Sequence, residues 1–227
     1  MQDDDKRLAA EAAVAEIADG MRVGLGSGTT VAFAIAAVGR RLAGWPSATF
    51  FSTSQRTTTA AREAGIPIGR FADRADLDLV IDGVDEIDPQ FHAIKGGGGA
   101  MLREKILASA ARRMIAIADG TKRVAILGSA PVPVETLPFA RSFVAARARG
   151  LGADPVLRMI RSGKEFRTNQ GNLILDCRFG AIADPERLAL ELQAIPGALG
   201  HGLFLTEIEA AYVATDGVVT KMERSGS

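Results

Sequence analysis

The sequence predicts an α/β protein: an open, mostly parallel sheet flanked by helices, with an inserted smaller α+β domain of ferredoxin-like type. In the first half, short apolar segments alternate with segments of helical spacing. "LDLVIDG" is almost wholly apolar up to its acidic end, as is typical of a parallel strand covered on both faces. Later the order becomes β-α-β-β-α-β, the pattern of a ferredoxin-like unit. At 227 residues and 47% hydrophobic, the chain is large enough for both parts.

The first part begins with a helix over residues 3–18, where apolar residues recur at helical spacing and Gly20 supplies a stop. A strand then runs into a glycine loop, and strands and helices alternate after it. In chain order, the segments are the strand "MRVGLGSG", the helix "TTVAFAIAAVGRRLA", the strand "ATFFST", the helix "TTAAREAG", the strand "LDLVIDG", the helix "AMLREKILASAARR" and the strand "MIAIAD".

The second part begins at the extended, proline-rich "PVPVETLP". It continues as the helix "ARSFVAARARG", the strands "PVLRMIR" and "NLILDCRF" joined by the turn "TNQGN", the helix "DPERLALELQAI" and the strand "ALGHGLF". The closing "AAYVATDGVVTKME" predicts a hairpin with its turn at Asp216-Gly217, and we expect its strands to return to the first sheet. The predicted domains are 1–129 with 206–227 and an inserted 130–205, and "RSGS" at the end is predicted to fray.

Composition excludes several classes of function. Lysine plus arginine and aspartate plus glutamate both number 27, and only 5% of residues are aromatic, so a nucleic-acid partner is not expected. Cys177 is the only cysteine, which rules out an intrachain disulfide and favours a reducing cytoplasm. The acidic N-terminus does not resemble a secretory signal, and no apolar run is long enough to span a membrane. The sequence contains no HExxH motif or comparable ligand cluster, so we expect no metal.

The loop "GLGSGTT" (24–30) follows a strand and opens a helix, where backbone N–H groups form an anion site. A nucleotide P-loop would require a lysine, which is missing. A dinucleotide fingerprint would require a third glycine and an acidic residue after the second strand, which instead ends Ser52-Thr53-Ser54. A single phosphate fits better, although a threonine that only caps the helix is the alternative. The residues of this predicted site are Ser27, Gly28, Thr29 and Thr30.

An acidic turn follows the apolar strand "LDLVIDG". Asp82, Asp85 and Glu86 lie where that strand ends, at the edge of an α/β sheet where ligands bind. Taken alone, either aspartate is better explained as a residue that caps its own loop. The tetraglycine that begins at Gly96 favours a functional site in this region instead. It lies between an apolar strand and a strong helix, which argues against a linker. Its N–H groups, beside Lys95, would form a positive nest for an oxygen that gains negative charge.

Two further charged residues belong to this region. Glu104 falls early in the next helix, where a favourable interaction with the helix N-terminus is the alternative to a catalytic role. Lys122, in "DGTKR", follows the next strand and reaches the same edge of the sheet unless it is simply a surface lysine.

The motifs "GLGSGTT", "IDGVDEID", "IKGGGGAMLREKI", "IADGTK" and "VPVETLPFA", in this order, resemble those of the type A ribose-5-phosphate isomerases. The similarity runs from the first strand to Phe204. It implies an α/β catalytic domain with a smaller lid or oligomerisation domain, assembly as homodimers or homotetramers, and no metal or cofactor. It also implies interconversion of D-ribose 5-phosphate and D-ribulose 5-phosphate in the non-oxidative pentose phosphate pathway.

The resemblance also assigns roles. It implies that Glu104 is the base that carries a proton between C2 and C1 through a cis-enediolate, and that Lys95 stabilises the enediolate oxygen. Asp82 and Asp85 would serve hydroxyl proton transfer and ring opening. Lys6 matches a family lysine near the phosphate, unless it only belongs to an exposed helix start. The substrate-binding residues that the resemblance implies are Ser27, Gly28, Thr29, Thr30, Asp82, Gly83, Val84, Asp85, Lys95, Gly96, Gly97, Gly98 and Lys122.

Two other functions remain to be weighed. A sugar-phosphate sensor would need a DNA-binding segment, yet only about twenty residues precede the first strand, and a sensor has no need of Glu104. An isomerase or epimerase of another phosphosugar would keep the mechanism and change only the pocket.

Overall fold

The structure, a computed structural model, describes residues 1–224, so the last three residues of the predicted frayed end "RSGS" lie outside the described residues. The prediction was wrong for Arg224, whose N–H donates to the carbonyl of Glu209 at 2.7 Å and whose Nε donates to the carbonyl of Ile208 at 2.8 Å. No helix within the described residues is long and apolar enough to cross a membrane. The helices are α1 (Gln2–Val14), α2 (Thr29–Arg41), α3 (Gln55–Glu63), α4 (Met101–Ala110), α5 (Arg141–Gly150) and α6 (Pro185–Gln193). The strands are β1 (Arg22–Leu25), β2 (Thr49–Ser52), β3 (Leu79–Gly83), β4 (Glu86–Ile87), β5 (Ala93–Ile94), β6 (Met114–Asp119), β7 (Val132–Thr136), β8 (Asp154–Leu157), β9 (Leu173–Arg178), β10 (Ala198–His201), β11 (Leu203–Phe204), β12 (Ala210–Thr215) and β13 (Val218–Glu223).

The chain divides into two compact units. The first unit consists of Met1–Val84, Arg103–Arg123 and the chain from Thr206 onward, and the second unit of Asp85–Leu102 and Val124–Leu205.

A six-stranded sheet forms the centre of the first unit, in the order β13-β12-β6-β3-β1-β2. All neighbouring pairs are parallel except the closing hairpin of β12 and β13. β6 is buried at all six positions, which explains why its sequence "MIAIAD" is apolar without alternation. The predicted mostly parallel sheet is confirmed, and so is the return of the hairpin to it.

The hairpin turn is held by a buried carboxylate of α1. Asp5 accepts hydrogen bonds from the N–H groups of Asp216 and Gly217 at 3.2 and 2.8 Å. Both turn residues have positive φ, of 51° and 81°, as a type I′ turn requires, so the Asp-Gly pair that predicted the turn has its expected conformation.

The second unit contains a four-stranded antiparallel sheet in the order β10-β7-β9-β8. With α5 and α6, this is the β-α-β-β-α-β ferredoxin-like arrangement that the sequence predicts. The buried Glu135 of β7 accepts hydrogen bonds from Thr168 and Asn172, and thereby anchors the turn "TNQGN". Cys177 lies in this core, where burial raises the pKa of its thiol to about 12.

A second, three-stranded sheet, in the order β11-β5-β4, was not foreseen from the sequence. It pairs the segment after the acidic turn with Leu203–Phe204, and the carboxylate of Glu86 accepts the N–H groups of Gly128 and Ala130. These bonds place residues 85–102 and 124–129 in the second unit. The predicted domains, which assigned both segments to the first domain, differ from the two units in this respect.

Candidate active site

The glycine loop of the first unit begins where β1 ends. The N–H of Gly26 donates to the carbonyl of Ile81 at 3.0 Å, and the hydroxyl of Thr57 donates to the carbonyl of Gly26 at 2.8 Å. A Cβ at position 26 would lie 1.8 Å from the carboxyl group of Asp82. Gly26 is therefore glycine because the loop backbone passes directly over a carboxylate.

Ser27 connects two of the three acidic residues that the sequence marks as catalytic candidates. Its N–H donates to Asp82 at 3.0 Å, and its hydroxyl donates to Glu104 at 2.5 Å. The N–H of Gly83 also donates to Asp82, at 2.7 Å. Asp82 is 1% exposed and Glu104 is 3% exposed. Burying two carboxylates costs free energy, and such groups concentrate at functional sites.

The position of Glu104 bears on both of its predicted roles. Glu104 lies in the first turn of α4, as expected. However, a carboxylate that only interacted with a helix N-terminus would have no need to be buried and to accept a hydroxyl from a residue 77 positions away. The geometry favours a functional carboxylate.

The remaining first-unit candidates lie beyond the ends of neighbouring parallel strands. Gly28, with φ of 105°, precedes α2, which begins at Thr29. Lys122 ends a short 3-10 helix directly after β6. Although burial alone would raise the pKa of Asp119, hydrogen bonds from Thr121 and Gln2 and the charge of Lys122 lower it. Asp119 therefore stays ionised beside Lys122. At the N-terminus, the side chain of Lys6 is only 13% exposed and pairs with Asp3.

The tetraglycine and Lys95 belong to the second unit. Lys95 is 2% exposed, with its ammonium group 5.2 Å from the centre of the Phe204 ring. Its N–H donates to the carbonyl of Gly202 at 2.9 Å. Burying an ammonium group costs desolvation free energy, and its attraction to the face of an aromatic ring offsets part of that cost.

Asp85 holds the start of the tetraglycine. Its carboxylate accepts the N–H of Gly97 at 2.8 Å, and a Cβ on Gly97 would approach that carboxylate to 2.9 Å. Gly96 has a φ of 102°, and a Cβ there would lie 2.6 Å from the side chain of Met101. These two glycines are thus required by the backbone conformation and by close contacts.

Direct hydrogen bonds connect some of the predicted site residues but not others. Hydrogen bonds link Ser27, Asp82 and Glu104 in the first unit, and Asp85 with Gly97 in the second. Within the described chain, no hydrogen bond links Val84, Thr29, Thr30 or Gly98 to another predicted site residue, and their contact with substrate remains a prediction. Within residues 1–224, no group of three or more His, Cys, Asp or Glu side chains is arranged to hold a metal ion.

Two residues of the site were missed in the sequence. Thr57 supports the glycine loop through Gly26, and the unusually hydroxyl-rich "FSTSQRTTTAA" was its only signal. Arg158 donates to the carbonyl groups of Gly96 and Gly97 at 2.9 and 3.1 Å. No pattern in the sequence connects an arginine in the inserted domain to the tetraglycine.

An open α/β sheet with a glycine loop and buried carboxylates at the carboxyl ends of its strands is typical of an enzyme that binds a small ligand there and transfers protons. The family model described as "Ribose 5-phosphate isomerase A (phosphoriboisomerase A)" matches residues 49–217. The chain belongs to this family, and it is accordingly an isomerase acting on ribose 5-phosphate.

Individual relatives agree with this assignment. The chain is 46% identical to ribose-5-phosphate isomerase A of Sphingopyxis alaskensis, covering 97% of this chain and 96% of the relative. It is 47% identical to that of Roseiflexus castenholzii, covering 94% and 93%. The structure of ribose 5-phosphate isomerase A from Neisseria gonorrhoeae superposes with a TM-score of 0.93 at 33% identity, covering 100% and 99%. A D-ribose-5-phosphate isomerase in complex with phospho-erythronic acid superposes with a TM-score of 0.95 at 33% identity, covering 99% and 100%.

Proposed function

We propose that Glu104 is the general base of the isomerisation and that the reaction proceeds through a cis-enediolate. The observation that carries this proposal is the burial of Glu104 at the end of the parallel sheet, with the Ser27 hydroxyl directed at one of its oxygens. A buried carboxylate that accepts a hydroxyl hydrogen bond suits proton abstraction beside a carbonyl.

The proposed mechanism begins from the open-chain aldose. Glu104 removes the proton from C2, and the electron pair moves so that the C1 carbonyl oxygen becomes negatively charged. Lys95 stabilises that charge. The C1 oxygen then gains the proton that the C2 hydroxyl loses, and the protonated Glu104 returns its proton to C1 as the C2 oxygen becomes the ketone. Asp82 and Asp85 serve the hydroxyl proton transfer and the opening of the sugar ring.

The phosphate group is assigned to the glycine loop of the first unit. Backbone N–H groups at the start of a helix, with the hydroxyls of Ser27, Thr29 and Thr30, suit a single phosphate. The ligand in the similar isomerase structure, phospho-erythronic acid, carries both a phosphate and a carboxylate. It therefore resembles a phosphorylated enediolate in charge, which supports an anionic intermediate here.

The test of this proposal is an isomerase assay on protein incubated with EDTA and then freed of it. We expect ribose 5-phosphate to be converted to ribulose 5-phosphate at the rate of untreated protein, because the proposed donors are an ammonium and backbone N–H groups. Arabinose 5-phosphate and allose 6-phosphate are the comparison substrates, and we expect slower turnover of both. Loss of activity that added metal restores would contradict the mechanism, and faster turnover of either comparison sugar would reassign the substrate.

We also propose that the chain assembles as a homodimer or homotetramer, with the second unit providing contact surface. Phe139, two residues before α5, is fully exposed, and Phe143 in the first turn of α5 is about half exposed. Large exposed apolar patches are typical of association surfaces, and these two side chains are the candidates for one here. Sedimentation velocity should give the mass of two or four chains, and a monomer at micromolar concentration would contradict this proposal. A cytoplasmic location is proposed with it, testable by cell fractionation.

A further inference from the structure

Arg158, directly after β8, connects the ferredoxin-like part of the second unit to the tetraglycine. One nitrogen of its guanidinium, Nη1, donates to the carbonyl oxygens of both Gly96 and Gly97, at 2.9 and 3.1 Å. The other two nitrogens are held by the carboxylate of Asp176, with Nε at 2.9 Å from it. Only 13% of the Arg158 side chain is exposed. Asp176 thus fixes the guanidinium group, and the remaining nitrogen, Nη1, is directed at the carbonyl groups of two consecutive residues.

These contacts determine the direction of the peptide N–H groups. No cis peptide bond occurs within the described residues, and in a trans peptide the C=O and N–H point in opposite directions. The first peptide, between Gly96 and Gly97, is held at both ends, since its N–H donates to Asp85 at 2.8 Å. The second peptide, between Gly97 and Gly98, is held only at its carbonyl end. No residue in the described part of the chain accepts a hydrogen bond from the Gly98 N–H.

The segment between β8 and β9 also packs against the tetraglycine. A Cβ at Gly99, where φ is 83°, would lie 2.3 Å from the ring of Phe166. The guanidinium carbon of Arg158 lies 5.8 Å from the centre of that ring. Gly96, Gly97 and Gly99 are therefore packed closely against neighbouring side chains, while Gly97 and Gly98 are exposed to solvent.

We propose that Arg158 is a positioning residue, which holds the Gly97–Gly98 peptide so that the Gly98 N–H donates to the oxygen that becomes negative in the enediolate. This inference rests on the proposed function, because it requires an anionic intermediate beside the tetraglycine. Arg158 also acts through charge. A cation on a carbonyl polarises the whole peptide and strengthens its N–H as a donor. A flexible tetraglycine would otherwise lose entropy each time the donor was aligned.

The experiment compares Arg158→Met and Arg158→Lys with the matched control Arg141→Met. Arg141 belongs to the same unit and forms an ion pair with Glu165 at 3.0 Å, but it has no hydrogen bond to the tetraglycine. For Arg158→Met we expect kcat to fall about 100-fold, the effect of losing one oxyanion donor, with KM within about threefold of wild type. Arg158→Lys should recover little, since a lysine cannot hold Asp176 and two carbonyls at once. The control should stay within about twofold.

Two further measurements separate positioning from a loss of folding. Binding of phospho-erythronic acid should weaken at least tenfold in Arg158→Met, whereas binding of inorganic phosphate should not change. Asp176→Asn keeps the arginine but loosens it, and we expect an intermediate fall in kcat with the thermal midpoint near that of Arg141→Met. Unchanged kcat in Arg158→Met, or a raised KM with normal kcat, would overturn the inference. Failure of the proposed function is recognised separately, because Glu104→Gln would then retain turnover.

Discussion

Replacing Glu104 with glutamine should lower kcat about 1,000-fold while affinity for phospho-erythronic acid stays within about threefold of wild type. Glutamine has nearly the same shape and can still accept the Ser27 hydroxyl, which donates to Glu104 at 2.5 Å. It cannot take a proton from C2. Steady-state kinetics and isothermal titration would measure the two quantities. In deuterated water, incorporation of deuterium at C1 of ribulose 5-phosphate should fall in parallel with turnover.

Glu63→Gln is the matched control, because Glu63 is an exposed glutamate that ends α3 in the same unit. Its kcat should equal that of wild type. Glu104→Asp is informative as well. Its carboxylate is withdrawn by one methylene, and a displacement of about 1 Å can cost about 100-fold in rate. We would abandon Glu104 as the base if Glu104→Gln kept more than a tenth of the wild-type kcat.

The fold was predictable where a local pattern repeats over many residues. "MIAIAD" and "LDLVIDG" read as buried parallel strands because both faces of the central strands are covered. Asp-Gly between two apolar runs predicted the last hairpin, and Asp216 and Gly217 have the positive φ that this turn requires. In these segments the local sequence and the tertiary structure favour the same conformation.

The three-stranded sheet of the second unit was not predictable in the same way. Its strands β4, β5 and β11 are two residues long, shorter than any periodic pattern that a sequence could display. β11 pairs with a strand more than a hundred residues earlier. Such pairing depends on long-range packing rather than on intrinsic propensity.

In the site, too, local features were predictable from the sequence and long-range contacts were not. The identity of Lys95, the glycines and the two aspartates could be read from one unusual segment, and the family resemblance assigned roles to them. Which of these residues lie next to one another could not be predicted, because hydrogen-bonded partners such as Ser27 and Asp82 are 55 positions apart in the sequence. The contact between Arg158 and the tetraglycine could not be predicted from the sequence for a related reason. It contacts backbone carbonyls, and a carbonyl group carries no side-chain identity.

Lys95→Met should lower kcat about 100- to 1,000-fold, with a smaller change in KM, because the ammonium is proposed to act on charge that develops only in the enediolate. Methionine keeps an unbranched apolar stem in place of the lysine side chain, which is 2% exposed and lies against Phe204. Steady-state kinetics with ribose 5-phosphate measure both quantities.

Lys164→Met is the control for charge, since Lys164 is an exposed lysine of the second unit. It should leave kcat, KM and stability unchanged. The pattern across kcat and KM then identifies the role of Lys95. A raised KM with normal kcat would make Lys95 a ground-state contact to the phosphate. Equal loss in Lys95→Met and Lys95→Arg would show that position as well as charge matters, because the guanidinium keeps the charge but is larger than an ammonium.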